Sequence, residues 1–166
     1  MEQRGVTYSG KRLEQQLKEY GEESAEAHRK CLAYVSDFRE TDPDTGESKP
    51  VLDKLPKSGA SKALMRVLFD HFKLPVIKKS PKTGDPSTDK TVLESWSNLL
   101  PERSKAGRFV KNLSNKRKRD TACSYMESYK KMAVRYEGNG AVISGSESAD
   151  WYTLHPSLNM TGTATL

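Results

Sequence analysis

The feature that most constrains the fold is a stripe of mostly apolar residues that repeats every three or four positions between residues 11 and 39. Its members are Leu13, Leu17, Tyr20, Ser24, Ala27, Cys31, Tyr34 and Phe38. This spacing follows one face of an α-helix, and glutamates and lysines occupy the other faces. Because the stripe is narrow, we expect a long helix that packs against one partner helix rather than inside a thick core.

A second long helix is predicted from Glu102 to about Tyr136, and its two halves differ. The C-terminal half is amphipathic, whereas residues 103–119 carry eight Lys and Arg among 17 residues. Cations on several faces of a helix cannot be buried without partners. The N-terminal half is therefore expected to face water or phosphate groups.

Two shorter helices are predicted between the long ones. The first follows a cap within 58–61 and runs to about Phe72, where Leu74-Pro75 stops it. The second follows a cap at Ser87 or Thr88 and runs to about Leu100.

A polar loop, 78–88, precedes the second short helix. It contains three lysines, four Ser or Thr, two prolines and one glycine, and it has no apolar periodicity. The N–H groups at the start of the following helix are expected to favour a phosphate. A lysine-rich loop that is merely exposed to solvent is the alternative.

The C-terminal part of the chain changes character. Residues 138–150 are rich in Gly and Ser and predict a flexible connector, and 151–166 is rich in Thr and predicts strands. We therefore expect a mainly α fold, in which residues 1–137 form two long antiparallel helices with short helices and a basic loop at the tip. A small β segment follows at the C-terminus.

The net charge of +6 is distributed unevenly. Residues 54–137 carry 20 Lys and Arg against 8 Asp and Glu, whereas residues 1–53 carry 8 against 12. Basic charge confined to one part of a chain indicates a polyanionic partner. The alternative is a lysine-rich surface that faces solvent.

Several kinds of site are not expected. No run approaches the roughly 18 apolar residues of a membrane span, so no membrane partner is predicted. The two cysteines and three histidines lack the spacing of metal ligands. No nucleophile and base stand in a catalytic arrangement, so neither a catalytic residue nor a cofactor is predicted within this chain.

Four stretches, in order along the chain, resemble the thumb and the start of the palm of family A DNA polymerases, the family of bacterial DNA polymerase I, and most closely its phage branch. They are MEQRGV at 1–6, GASKALMRVLFDHFKLP at 59–75, KKSPKTGDPSTD at 78–89 and WYTLHPSLNMTGTAT at 151–165. The basic helix also falls where the family has its long returning thumb helix. The resemblance covers nearly the whole chain, with 1–137 as the thumb, 138–150 as a connector and 151–166 as the first strands of the palm.

The resemblance implies a role for individual residues. The phosphates of a primer–template duplex would be contacted by Lys62, Lys79, Ser80, Lys82, Thr83, Ser87 and Thr88. Closer to the palm the duplex would be reached by Arg117, Lys118 and Arg119, and Thr161, Thr163 and Thr165 would lie beside the primer strand. Phosphate contacts suit an enzyme that must translocate, because they bind without reading sequence.

The resemblance further implies a piece of a DNA-directed DNA polymerase, a nucleotidyltransferase whose metal-binding aspartates and fingers would lie beyond Leu166. Its partners would be double-stranded DNA and the remaining palm and fingers, with Mg²⁺ for the full-length enzyme and a cytoplasmic location in a bacterium or phage-infected cell. The alternative is a stand-alone basic helical interaction module whose stripe at 11–39 dimerises.

Overall fold

The fold is mainly α-helical in a computed structural model that describes residues 6–41, 46–56, 61–81, 83–132, 134–135 and 151–154. The helices are α1 (Gly10–Tyr34), α2 (Lys62–Met65) with a π-helical continuation (Arg66–His71), α3 (Lys90–Leu99) and α4 (Lys105–Met132). The strands are β1 (Val6–Ser9), β2 (Arg39–Thr41), β3 (Ser48–Pro50), β4 (Val134–Arg135) and β5 (Trp151–Leu154). The chain divides into two compact units: unit 1 is Met1–Gly21 with Thr121–Leu166, and unit 2 is Glu22–Asp120.

Helix α1 confirms the long helix predicted from the stripe, but it ends at Tyr34 and not near residue 39. The N–H of Phe38 donates to the carbonyl of Val35 (3.0 Å) in a turn, and β2 follows. Val35 is buried and Phe38 packs against the core. The apolar pattern outlasts the helix because the turn residues face the same core.

Unit 2 contains the hydrophobic core. Its buried residues are Cys31, Val35, Leu52, Leu55, Leu64, Val67, Leu68, Leu74, Val92, Leu93, Trp96, Phe109, Val110 and Leu113. Within this unit α1 and α4 run antiparallel, because Ser24 bonds to Asp120 whereas Cys31 bonds to the carbonyl of Phe109. Burial raises the pKa of the Cys31 thiol to about 12. Ser24, Ala27 and Cys31 are therefore buried inside the unit and are not available to a second copy of the chain.

The first short helix is confirmed over Lys62–His71, and its second part widens into a π-helix. The N–H of Phe72 donates to the carbonyl of Val67 (3.0 Å), five residues earlier. Lys73 then adopts a left-handed conformation (φ 52°), which ends the helix and directs Leu74 into the core.

The second short helix is also confirmed, but its cap is neither Ser87 nor Thr88. Asp89 occupies that position and its carboxylate accepts from the N–H of Val92 (3.0 Å). The basic helix α4 starts at Lys105 rather than at residue 102, because the Ser104 hydroxyl accepts from the N–H of Gly107 (2.9 Å).

Unit 1 contains a three-stranded antiparallel sheet of order β1-β5-β4. Val6 pairs with Leu154, and Val134 pairs with Thr153. The predicted strand at 151 is confirmed over Trp151–Leu154, and β1 and β4 supply the sheet that it joins. Val6, the last residue of the resembling stretch MEQRGV, begins β1, and α1 starts only at Gly10. The predicted connector 138–150 and the segment 155–166 lie outside the described residues.

Candidate nucleic-acid interface

The loop predicted to bind phosphate forms a hydrogen-bonded hairpin, which we call the basic hairpin (residues 78–81 and 83–89). Lys79 and Pro86 form an antiparallel bridge, and the N–H of Ser87 donates to the carbonyl of Lys78 (2.8 Å). At the turn, the N–H of Gly84 donates to the carbonyl of Ser80 (2.9 Å) with Gly84 at φ 73°. This left-handed conformation favours glycine.

An ion pair joins the two ends of the basic hairpin. Lys78 Nζ donates to Asp89 Oδ2 (2.7 Å), while Asp89 Oδ1 accepts from Thr91 Oγ1 (2.6 Å) and from the N–H of Val92. These bonds, the one from Lys78 first, hold the pKa of Asp89 well below its usual range. The carboxylate already occupies the start of α3 and would repel a second anion, so the phosphate expected at this helix N-terminus is not supported.

The guanidinium of Arg117 attaches the end of the basic hairpin to α4. It donates to the carbonyl of Thr88 and, from Nη2, to the Thr88 hydroxyl (3.3 Å). Thr88 is only 5% exposed, and burial lowers the pKa of Arg117. Arginine nevertheless stays charged at neutral pH. Both residues are therefore engaged inside unit 2.

A polar groove of about 340 Å³ lies between α1 and α4 within unit 2. It is lined by Glu23, Glu26, Ala27, Lys30, Asn112, Asn115, Lys118 and Arg119. Arg119 pairs with Glu23, and Lys30 pairs with Glu26 (2.6 Å). Lys118 is exposed at this groove, and no carboxylate of the described residues lies within ion-pair distance of it.

The predicted contact residues differ in their exposure. Lys62, Lys79, Thr83 and Lys118 are exposed, whereas Ser80, Ser87, Arg117 and Arg119 are half-buried and Thr88 is buried. Lys82, Thr161, Thr163 and Thr165 lie outside the described residues. Contact of any of these residues with DNA stays a prediction.

Internal ion pairing leaves a surplus of positive charge in the described part of 54–120. Seven exposed cations there have no described carboxylate within 4.0 Å: Lys54, Lys62, Lys73, Lys79, Arg103, Arg108 and Lys118. Among the carboxylates of the same described stretch, Asp85 alone lacks a basic partner at that distance. The surplus cations remain available to an anionic partner.

Sequence reasoning missed the residues that organise the site. Asp89 follows Ser87 and Thr88, and all three types are good helix caps, so the local pattern did not distinguish them. The groove residues Asn112, Asn115 and Lys118 recur every three positions, which marks one face of α4. That periodicity was a usable signal.

Two general properties concern the described residues only. None of the helices is long and apolar enough to cross a lipid bilayer over the part that the structure describes. In the same residues no three His, Cys, Asp or Glu side chains lie together so that they could hold a metal ion.

Comparison of the chain with protein-family models, with curated proteins and with solved structures found no match to any of them.

Proposed function

We propose that this chain is the DNA-holding part of a template-directed DNA polymerase, and that it binds a primer–template duplex through sequence-independent phosphate contacts. The observation that carries the proposal is the excess of cations that form no ion pair. In the described part of 54–120, seven exposed Lys and Arg lack a described carboxylate within 4.0 Å, whereas one carboxylate lacks a basic partner. Neutralising phosphates with Lys and Arg releases counterions, which is the main source of sequence-independent affinity for DNA.

The antiparallel arrangement of α1 and α4 within unit 2 also supports the proposal. The basic hairpin and the short helices belong to the same unit, as they would in a polymerase thumb. The polymerase assignment itself rests on the motif resemblance at 1–6, 59–75, 78–89 and 151–165. In the full-length enzyme the palm and fingers would supply the metal-binding aspartates and Mg²⁺.

A stand-alone module that dimerises through the stripe of α1 is less well supported. The part of the stripe formed by Ser24, Ala27 and Cys31 is buried within unit 2. A second copy could pack against these residues only if the unit opened.

The first prediction concerns the salt dependence of binding. Fluorescence anisotropy with a labelled primer–template duplex should show log K falling linearly with log salt, by about 0.9 per phosphate neutralised. Replacing the duplex by one of equal length and different sequence should leave the affinity unchanged. Lys79→Ala should weaken binding about tenfold or less and reduce the slope by about 0.9.

Lys18→Ala is the matched control for Lys79→Ala. Lys18 is an exposed lysine of unit 1, so the variant removes the same charge from outside the proposed interface. We expect its affinity and slope to equal those of the wild type. A salt-independent affinity, or equal losses in the two variants, would contradict the proposal.

A further inference from the structure

Arg117 lies on the buried side of α4, where a charged group needs partners. Phe109, Val110 and Leu113 on that side are buried in the core, and Arg117 is one turn beyond Leu113. A half-buried charge such as that of Arg117 is tolerated when it is hydrogen-bonded. Thr88 provides such acceptors, because both its carbonyl and its hydroxyl accept from the guanidinium.

We propose that Arg117 is a positioning residue that holds the basic hairpin in the conformation in which Lys79 meets a phosphate of duplex DNA. This inference rests on the proposed function and deepens it. It reassigns Arg117, which the resemblance placed among the residues that touch the duplex. Arg117 acts on DNA through Thr88 and the basic hairpin.

The path from Arg117 to Lys79 consists of short backbone connections. Thr88 follows Ser87, whose N–H donates to the carbonyl of Lys78 (2.8 Å). Lys79 is next in the chain and is bridged to Pro86 on the opposite side of the hairpin. A displacement of Thr88 therefore shifts the backbone that carries Lys79.

The exposure of the two cations agrees with this division of roles. Lys79 is exposed, and none of the described carboxylates lies within 4.0 Å of it, so its ammonium can reach a phosphate. The guanidinium of Arg117 is directed at Thr88, which is 5% exposed. Two N–H groups of this guanidinium are thereby bonded to the end of the hairpin rather than directed at a phosphate.

A double-mutant cycle on DNA binding tests the inference. Arg117→Lys keeps the positive charge but loses the planar fork that bonds two oxygens of Thr88. We expect it to weaken duplex binding about threefold to tenfold. In a Lys79→Ala background the same change should weaken binding less than about twofold, because the contact it supports is already missing.

Hydrogen exchange provides the structural readout in the absence of DNA. Arg117→Lys should accelerate exchange at the amides of Ser80, Gly84 and Ser87, while the amides of α1 keep their wild-type rates. Thr88→Val removes only the hydroxyl acceptor, so it should weaken duplex binding and accelerate exchange in the basic hairpin to a smaller extent. This second variant keeps the test valid if Arg117→Lys fails to fold.

The outcomes separate this inference from the proposed function. Wild-type protein that shows no salt-dependent binding overturns both. Wild-type binding with additive losses in the cycle overturns the inference alone, because Arg117 would then contact DNA independently of Lys79. Unchanged exchange in the basic hairpin of Arg117→Lys also overturns the inference alone.

Discussion

The two units of this chain differ both in how they are held together and in their charge. Unit 2 contains the buried core, from Cys31 to Leu113. In unit 1, no side chain that the structure describes, at 8–21 and 121–131, is buried. Unit 2 carries 21 Lys and Arg against 15 Asp and Glu, and unit 1 carries 7 against 7. The net positive charge and the core therefore belong to the same unit.

The basic hairpin of unit 2 is supported differently from the surface of unit 1. The described part of unit 1 has backbone pairing in a small sheet and surface contacts such as Lys130 with Glu14 (2.7 Å). Exposed ion pairs of this kind contribute little to stability. In unit 2 the basic hairpin is followed directly by α3, whose Trp96 is fully buried. The basic hairpin is therefore held both by its own hydrogen bonds and by its direct connection to a packed core.

The largest effect should come from Trp96→Ala in unit 2. Trp96 is fully buried, its indole N–H donates to the carbonyl of Pro75 (3.0 Å), and its ring meets Phe69 edge-on at 5.8 Å. Emptying this space should lower the free energy of unfolding by about 3–5 kcal/mol, measured by urea denaturation. Tyr125→Ala, at a 49% exposed position of unit 1, should cost about 0.5 kcal/mol or less.

The reactivity of the Cys31 thiol offers a second measurement of the stability that unit 2 loses in Trp96→Ala. It is buried in unit 2 with a pKa of about 12, so it should react with a thiol reagent only when that unit opens. In a Cys123→Ser background, Trp96→Ala should accelerate the labelling of Cys31 about 100-fold or more. Equal labelling rates in Trp96→Ala and Tyr125→Ala would show that the two units do not differ as described.

Two helical glycines, one in each unit, should respond to alanine with opposite signs. A Cβ at Gly107 would lie 2.4 Å from the carbonyl oxygen of Pro101, which is backbone and cannot easily move. Gly107→Ala should therefore destabilise the protein by about 1–3 kcal/mol. A Cβ at Gly21 meets nothing within 4 Å, so Gly21→Ala should stabilise α1 by about 0.5–1 kcal/mol. Thermal unfolding of both variants, followed by circular dichroism, checks the signs. A stabilising effect of Gly107→Ala would contradict the close approach of residue 107 to the carbonyl of Pro101.

The sequence predicted the helices better than their ends. Periodicity is a local property, so the apolar patterns located α1 and most of α4. Helix α4 was predicted to continue to about Tyr136, but it ends at Met132 and residues 134–135 form β4. The turn after Tyr34 could not be read in this way, because Val35 and Phe38 continue the apolar pattern while they pack into the core as turn residues. The strand β5 was expected, but its partner β1 lies at the other end of the chain, and such pairing leaves no local signal.

For the site, the sequence located the cations but not their internal partners. Composition and charge do not distinguish Lys78 from Lys79. In the structure Lys78 is paired with Asp89, whereas Lys79 has no carboxylate partner among the described residues. Arg117 and Lys118 are also neighbours, and a helix directs them to different sides. Which cation of each pair remains available depends on tertiary contacts, and these are set by residues far away in the sequence.

The smallest effect concerns the ion pair of the basic hairpin and its dependence on pH. Asp89→Asn keeps an oxygen to cap α3 but removes the charge that pairs with Lys78. Because the folded state lowers the pKa of Asp89, the ionised carboxylate contributes stability above the unfolded pKa of about 4, and this contribution is lost as the pH falls through the folded pKa. The pair is half-exposed, so at pH 7 the variant should be less stable by no more than about 1 kcal/mol.

Urea denaturation of wild type and Asp89→Asn between pH 7 and pH 2 measures this difference. It should stay constant from pH 7 to about pH 5 and shrink below about pH 4. Lys78→Met is the matched variant, since it removes the other half of the pair and should lose a similar amount at pH 7. A difference that grows on acidification would mean that Asp89 is stabilised in its protonated form, which the bonds from Lys78, Thr91 and Val92 contradict. Lys130→Met breaks the ion pair with Glu14 in unit 1, and the same titration of this variant completes the comparison. It shows whether an ion pair on the surface of unit 2, which has the core, contributes more to the free energy of unfolding than an ion pair in unit 1.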